Sequence, residues 1–197
     1  KSEYVLLLNQ DMYLEETLIE NMITFLDTHQ KYAAISPRLM RWDFQKAVEG
    51  GTNALLHSFT NSVDSLGLEI FRNRRVVDLH TQKDWSTLPS MLKTEEEGSI
   101  LPVFGLSGAL PVFRRSALSA VAFADGTFFD ESYGSYKEDV DLALRLRSAG
   151  YASAVLLSSL THHDRSAAGP IEKTDQAAMK NKKMQSSWVK QQSYKNH

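Results

Sequence analysis

The sequence predicts an α/β domain, a sheet flanked by helices, on three observations. A continuous apolar run, YVLLL at 4–8, has the composition of a strand buried on both faces. A helical pattern over about 14–29 and a short strand pattern at 32–36 follow it, the spacing of a βαβ unit, which is expected to be right-handed and parallel. A stronger helix pattern near 138–149 starts with three carboxylates and leads into another strand-like run.

Composition narrows the function classes. The 197 residues are enough for one domain with a substantial core and a tail. Hydrophobic residues make up 42% and charged residues 23%, as in ordinary globular proteins. A formal charge of −2 gives no ground for expecting nucleic acid as a partner. The charge is uneven: from Arg165 onward seven Lys/Arg face two Asp/Glu, a local +5 against −7 for the rest. With no cysteine there is no disulfide framework, thiol nucleophile or Cys-based metal site, in keeping with a reducing compartment. No apolar run is long enough to span a bilayer and no signal-peptide pattern opens the chain, so the expected location is cytoplasmic.

Taken in order, the run at 4–8 is followed at once by Asn9, Gln10 and Asp11, which puts Asp11 just past the carboxyl end of a strand, where open α/β sheets bind ligands. The first helix gathers Leu18, Ile19, Met22, Ile23 and Leu26 on one side. The strand at 32–36 is expected to stop at Pro37. From 43 to 98 periodicity is weak; Gly50 and Gly51 mark a break, a short strand is expected at 69–71, a hairpin turn at 73–75 and a second strand at 76–79. The acidic stretch 94–98 reads as a solvated loop. So long an irregular insert is usually functional or mobile. Order returns with a strand at 101–104, a close-approach backbone at Gly105 to Ala109, a continuation at 110–113 and a short helix over 114–122. An aromatic approach, Phe128, Phe129, Tyr133 and Tyr136 broken by Gly134, precedes the acid-headed helix. That helix has Val140, Leu142, Ala143, Leu144, Leu146 and Ala149 as its apolar stripe and Gly150 as its C-cap signal. A strand at 152–157 ends in a loop carrying His162 and His163, and a polar, basic helix is expected at 171–192.

Three places can carry chemistry. Asp11 and the His162/His163 pair each follow an expected parallel strand and so share one sheet edge. A carboxylate and an imidazole with open positions left over suit Mg²⁺ or Mn²⁺ held jointly with a phosphorylated substrate. Glu138, Asp139 and Asp141 stand at a helix start, where acids also simply complement the helix dipole. Asp139 can accept a proton from a substrate hydroxyl. Asp11 as a turn acid and the histidines as loop or cap residues are the competing structural readings. GxGxxG, GxxxxGK[ST] and GxSxG are all absent, which disfavours a Rossmann dehydrogenase, a Walker NTPase and an α/β hydrolase.

Together, EYVLLLNQD at 3–11, FGLSGALPVFRRSAL at 104–118, FFDESYGSYKEDVDLALRLRSAGY at 128–151 and LTHHD at 160–164 resemble bacterial family 2 glycosyltransferases, closest to the rhamnosyltransferase-like group. The resemblance implies a GT-A-like (Rossmann-like) mixed sheet flanked by helices over residues 1–164, followed by a basic helix or tail over 165–197. It implies inverting transfer of a sugar from a nucleotide-diphosphate donor to a glycan or lipid-linked acceptor, as in cell-wall or surface polysaccharide synthesis. Asp139 corresponds to the catalytic base, with Glu138 beside it. Asp11 corresponds to the last acid of the DXD-type motif, with Asn9 at its first position and Gln10 replacing the usual proline. His162 corresponds to the late metal-binding histidine, so Asp11 and His162 would hold Mg²⁺ or Mn²⁺, with His163 the fallback ligand because adjacent side chains on an extended segment point to opposite sides. Gly105, Ser107 and Gly108 fall where the family lines its donor and acceptor cleft. The family's N-terminal nucleotide-binding half has no counterpart here, so the chain is expected to be a fragment, or a split or degenerate transferase. A non-catalytic carbohydrate-binding or assembly module with the same fold stays open as the alternative, and a nucleotidyltransferase as a more distant one. The basic tail is a candidate for peripheral contact with the inner face of the plasma membrane.

Overall fold

In the computed structural model, residues 2–164 except 52, 94, 95, 97 and 134–136 are described. Two long strands, β3 (Tyr32–Trp42) and β9 (Ala152–His163), lie side by side and parallel, and every other strand of the main sheet is attached to one of them or to a strand that is. In chain order the remaining elements are β1 (Tyr4–Leu6), β2 (Met12–Leu14), α1 (Leu18–Thr28), α2 (Phe44–Glu49), α3 (Ala54–Ser58), β4 (Phe59–Ser65), β5 (Leu68–Ile70), β6 (Val76–Asp78), β7 (Ile100–Val103), β8 (Val112–Arg114), α4 (Arg115–Ala120) and α5 (Glu138–Ser148). Short 3-10 turns lie at Trp85–Thr87, Ser90–Leu92 and Glu131–Tyr133. The sheet is mixed: β8 and β4 pair antiparallel with β3, β7 and β2 pair antiparallel with β9, and β1 pairs antiparallel with β8. β5 and β6 form a separate hairpin.

Helices cover both faces of the sheet. On one, Leu18, Met22, Phe25 and Leu26 of α1 pack with Ile35, Leu39, Val112, Ala154 and Leu156. On the other, Ala117 and Leu118 of α4 and Leu142 and Leu146 of α5 pack with Ala33, Val155 and Leu157. Each fully buried Leu or Ile contributes about 1.5–3 kcal/mol of transfer free energy. This is an α/β fold with a mixed sheet.

Several expected elements differ in extent or pairing. β1 and β3 run the same way but are not neighbours, because β8 sits between them antiparallel to both. Pro37 does not end β3. It sits where the β3–β9 register jumps, Pro37 opposite Leu156 and Arg38 opposite Leu160, and a proline is tolerated inside a sheet at such an irregularity. β9 runs on past 157 to His163, so the histidine pair is on a strand rather than on a loop after it. The weakly patterned stretch holds α2, α3 and the seven-residue β4. The hairpin at 73–75 is present, with Arg74 in the left-handed region at φ 65°. The tail from 165 on with its expected helix at 171–192, most of the acidic loop 94–98, and Gly134 and Tyr136 lie outside the described residues. No helix among the described residues is long and apolar enough to cross a membrane.

α5 forms for the reasons its sequence offers. Leu142, Ala143 and Leu146 are buried, while Leu144 is exposed despite its place in the apolar stripe. The helix ends in a Schellman arrangement: Gly150 at φ 87° donates to Arg147 O and Tyr151 donates to Leu146 O, both at 3.0 Å. Arg145 pairs with Asp141 four residues earlier, 2.8 Å from Nε to Oδ2, and also donates to Val121 O and Phe128 O, fixing the preceding loop to the helix. Gly105 lets the 104–109 segment lie against α5, since a Cβ there would stand 2.4 Å from Ala143 Cβ. Gly105→Ala should therefore cost about 1–3 kcal/mol by overpacking. Urea denaturation should show the loss, and Ala143→Gly in the same chain should restore part of it; an unchanged midpoint for Gly105→Ala would show that the contact relaxes freely.

Candidate functional site

A polar row crosses four adjacent strands at one edge of the sheet. Asp64 lies on β4, Arg41 on β3, His163 at the end of β9, and Asp11 just before β2. His163 stands opposite Arg41 on one side and Met12 on the other. Its Nδ1 is 2.9 Å from Asp64 Oδ2. An ionised carboxylate only accepts, so Nδ1 carries the proton and donates. Nε2 is 3.2 Å from Asp11 Oδ1 and 3.5 Å from the Asn9 side-chain amide. Arg41 Nε stands 3.8 Å from Asp64 Oδ1. Asp64 and Arg41 are almost fully buried, whereas the Asp11 side chain is 38% exposed, so the row runs from the interior to the surface. Asp164, whose N–H donates to Asp11 O, adds a carboxyl held above its ordinary value by partial burial first and then by Asp11.

Asp11 thus meets a histidine at the expected edge, but the histidine is His163. His162 points to the other side of β9, as neighbouring residues on a strand do, and stacks on Phe59 at 4.1 Å and 17°. Burial first, and then the charge of Arg38, lowers its pKa to about 4. Its Nδ1 has no hydrogen-bond partner among the described residues.

The second acid centre is the start of α5. Lys137, at φ 79°, turns the chain so that Glu138 and Asp139 open the helix. Asp139 accepts from Val140 N–H at 2.8 Å and from the backbone N–H of Gly108. Desolvation, followed by the charge of Glu138, lifts its pKa to about 6, and Asp78 of β6 adds to the rise against the two hydrogen bonds. Glu138 Oε2 is buried with no hydrogen-bond partner among the described residues. A cavity of about 210 Å³ adjoins both acids, walled mainly by Leu106, Phe129, Leu142 and Ala143.

The segment 105–109 joins the two centres. Gly108 donates to Asp139, and Ala109 O accepts from Asn9 N–H at 2.9 Å, while the Asn9 amide faces His163. Of the three expected cleft residues, Gly108 touches the acid, Ser107 is buried beside it in the chain, and Gly105 serves the packing of α5. Asp64, Arg41, Asp78 and Asp164 were not singled out from sequence. The first two sit in segments without clear strand periodicity, and a lone acid there gives no signal.

Asp11 and His163 fit a divalent cation shared with a substrate. Two ligands at right angles and ~2.1 Å from an ion are ~3 Å apart, close to the 3.2 Å between Oδ1 and Nε2. No group of three or more His, Cys, Asp or Glu able to hold a metal occurs among the described residues. Comparison with protein-family models finds no match, and comparison with curated proteins finds no significant relative.

The two perturbed groups set opposite pH dependences. Between about pH 4 and 6 native Asp139 keeps a proton that the unfolded carboxyl, at 3.8, has released, so stability falls as pH rises. Between about pH 4 and 6.5 the unfolded imidazole binds a proton that native His162 does not, so stability rises with pH. Asp139→Asn should remove its opposing contribution, steepening the loss on acidification, and should gain up to about 3 kcal/mol at pH 7. His162→Phe should make that loss on acidification shallower. Urea midpoints followed from pH 4 to 7 check both; parallel curves for wild type and both variants would remove this account.

Proposed function

We propose that the chain is a family 2, rhamnosyltransferase-like glycosyltransferase domain of GT-A type, transferring a sugar from a nucleotide-diphosphate donor to a hydroxyl of a glycan or lipid-linked acceptor with inversion. The observation that carries this is the link between the two centres. The segment 105–109 ties Asp139 to the Asn9–Asp11–His163 edge, which supports reading a base and a diphosphate-side site as parts of one site.

Asp139 is suited to the base. With a pKa of about 6 it is mostly ionised at pH 7, yet retains more proton affinity than an exposed aspartate. Val140 N–H and Gly108 N–H hold the carboxylate in place, and the apolar cavity walls partly desolvate it. It takes the proton of the acceptor hydroxyl as that oxygen attacks the sugar's anomeric carbon and the diphosphate leaves. Asp11 and His163 would hold Mg²⁺ or Mn²⁺ at the donor's diphosphate end, where the ion would offset the charge developing on the leaving group. Glu138, beside the base, raises its proton affinity.

Calorimetry with UDP or dTDP should show affinity that needs Mn²⁺, that EDTA removes, and that Asp11→Asn and His163→Ala weaken while His162→Ala does not. No metal-dependent affinity would sink the enzyme reading and favour the carbohydrate-binding module. In an intact parent enzyme that carries the donor-binding half, Asp139→Asn should lose ~10²–10⁴ in turnover with nucleotide affinity kept, whereas this chain alone is expected to show no turnover. Near-wild-type turnover by that variant would mean the base lies elsewhere.

A further inference from the structure

We infer that Asp64 is the positioning residue of this site, fixing the ring of His163 so that Nε2 faces Asp11 and a shared cation; the inference rests on the metal-dependent reading above. The geometry is specific. Asp64 Oδ2 accepts from His163 Nδ1 at 2.9 Å, with the two side chains only 1% and 4% exposed. Asp64 reaches His163 because β4 bulges there. Leu39 pairs with Ser65 and Met40 with Val63, leaving Asp64 as an extra residue in the ladder. A bulge re-aims a side chain, and bulges are common beside active sites. Arg41, on the strand between the two, offsets the buried charge from 3.8 Å off Asp64 Oδ1.

The chemistry follows from hydrogen-bond inventory. With Nδ1–H held by a carboxylate, the lone pair of a neutral ring is on Nε2, the nitrogen that faces Asp11. Such a carboxylate also makes the imidazole a better donor to a metal, and losing it typically weakens metal affinity by ~10–100-fold. Asparagine at 64 keeps the shape. It either accepts through a neutral oxygen, a weaker bond, or turns its amide toward the ring and favours the other tautomer.

The test is binding of Mn²⁺ with inorganic pyrophosphate to the full chain, followed by electron paramagnetic resonance, with spin-echo modulation reporting an imidazole nitrogen on the ion. Wild type should bind Mn²⁺ and show the nitrogen signal; His163→Ala should lose both. Asp64→Asn, folded by circular dichroism, should bind Mn²⁺ ~10–100-fold more weakly with a diminished nitrogen signal. If Asp64→Asn does not fold, Asp64→Asn with Arg41→Met removes the buried cation beside it and should give the same result. Wild-type affinity and signal in a folded Asp64 variant, with His163→Ala impaired, would overturn the role of Asp64 and leave the metal reading standing. Identical Mn²⁺ binding by wild type and His163→Ala would overturn the metal reading and the role of Asp64 with it.

Discussion

The parallel ladder between β3 and β9 is the constraint on which the rest depends. It runs from Tyr32 opposite Ala152 to Arg41 opposite His163, and it is buried along most of its length. Each strand is longer than any neighbour on its other edge, so each takes two there. β8 pairs with the first half of β3 and β4 with the second; β7 pairs with the first half of β9 and β2 with the second. The first halves lie in the helix-covered core. The second halves bring Asp64, Arg41, His163 and Asp11 into one row. A polar row at that depth is tolerable because its members partner one another: an unpaired Asp64 carboxylate would cost several kcal/mol in desolvation.

The two acid centres differ because their surroundings differ. Asp139 stands against apolar walls and beside another carboxylate, which favours its protonated form. Asp11 is partly open to solvent and faces an imidazole nitrogen. Under the proposed reaction the two surroundings divide the work, a carboxyl with proton affinity near neutrality for the base and a solvent-facing carboxyl beside an imidazole for the diphosphate end. The raised pKa also means that ionised Asp139 destabilises the native state at pH 7, a cost expected at a functional site rather than in a purely structural helix start.

Local pattern made part of this legible. α5 was readable from its apolar period, its acidic first turn and Gly150, and the Asp141–Arg145 pair from i,i+4 spacing. α1, β7, β8 and the β5–β6 hairpin were near their expected places. The failures share one cause. β2, β4 and the ends of β3 and β9 are strands because of long-range partners, and their own residues, such as FTNSVDS in β4 and SSLTHH in β9, carry little strand preference. The α2–α3 pair has few buried residues and so no stripe to detect. Asp64 was invisible for the same reason: its role exists only once β4 lies beside β3.

The choice between His162 and His163 shows where counting along a chain stops working. Along an uninterrupted strand the facing of each side chain follows from parity, because the period is two. Between Leu156 and Leu160, β9 carries three residues that have no register partner on β3, opposite the Pro37–Arg38 step. That irregularity resets the pairing for everything beyond it. A proline in the middle of a central strand, which from sequence argues for a strand end, here marks the point where the core half of the sheet gives way to the half carrying the site. The ring that faces Asp11 is therefore fixed by pairing across the whole sheet, and the bulge at Asp64 is matched to that ring.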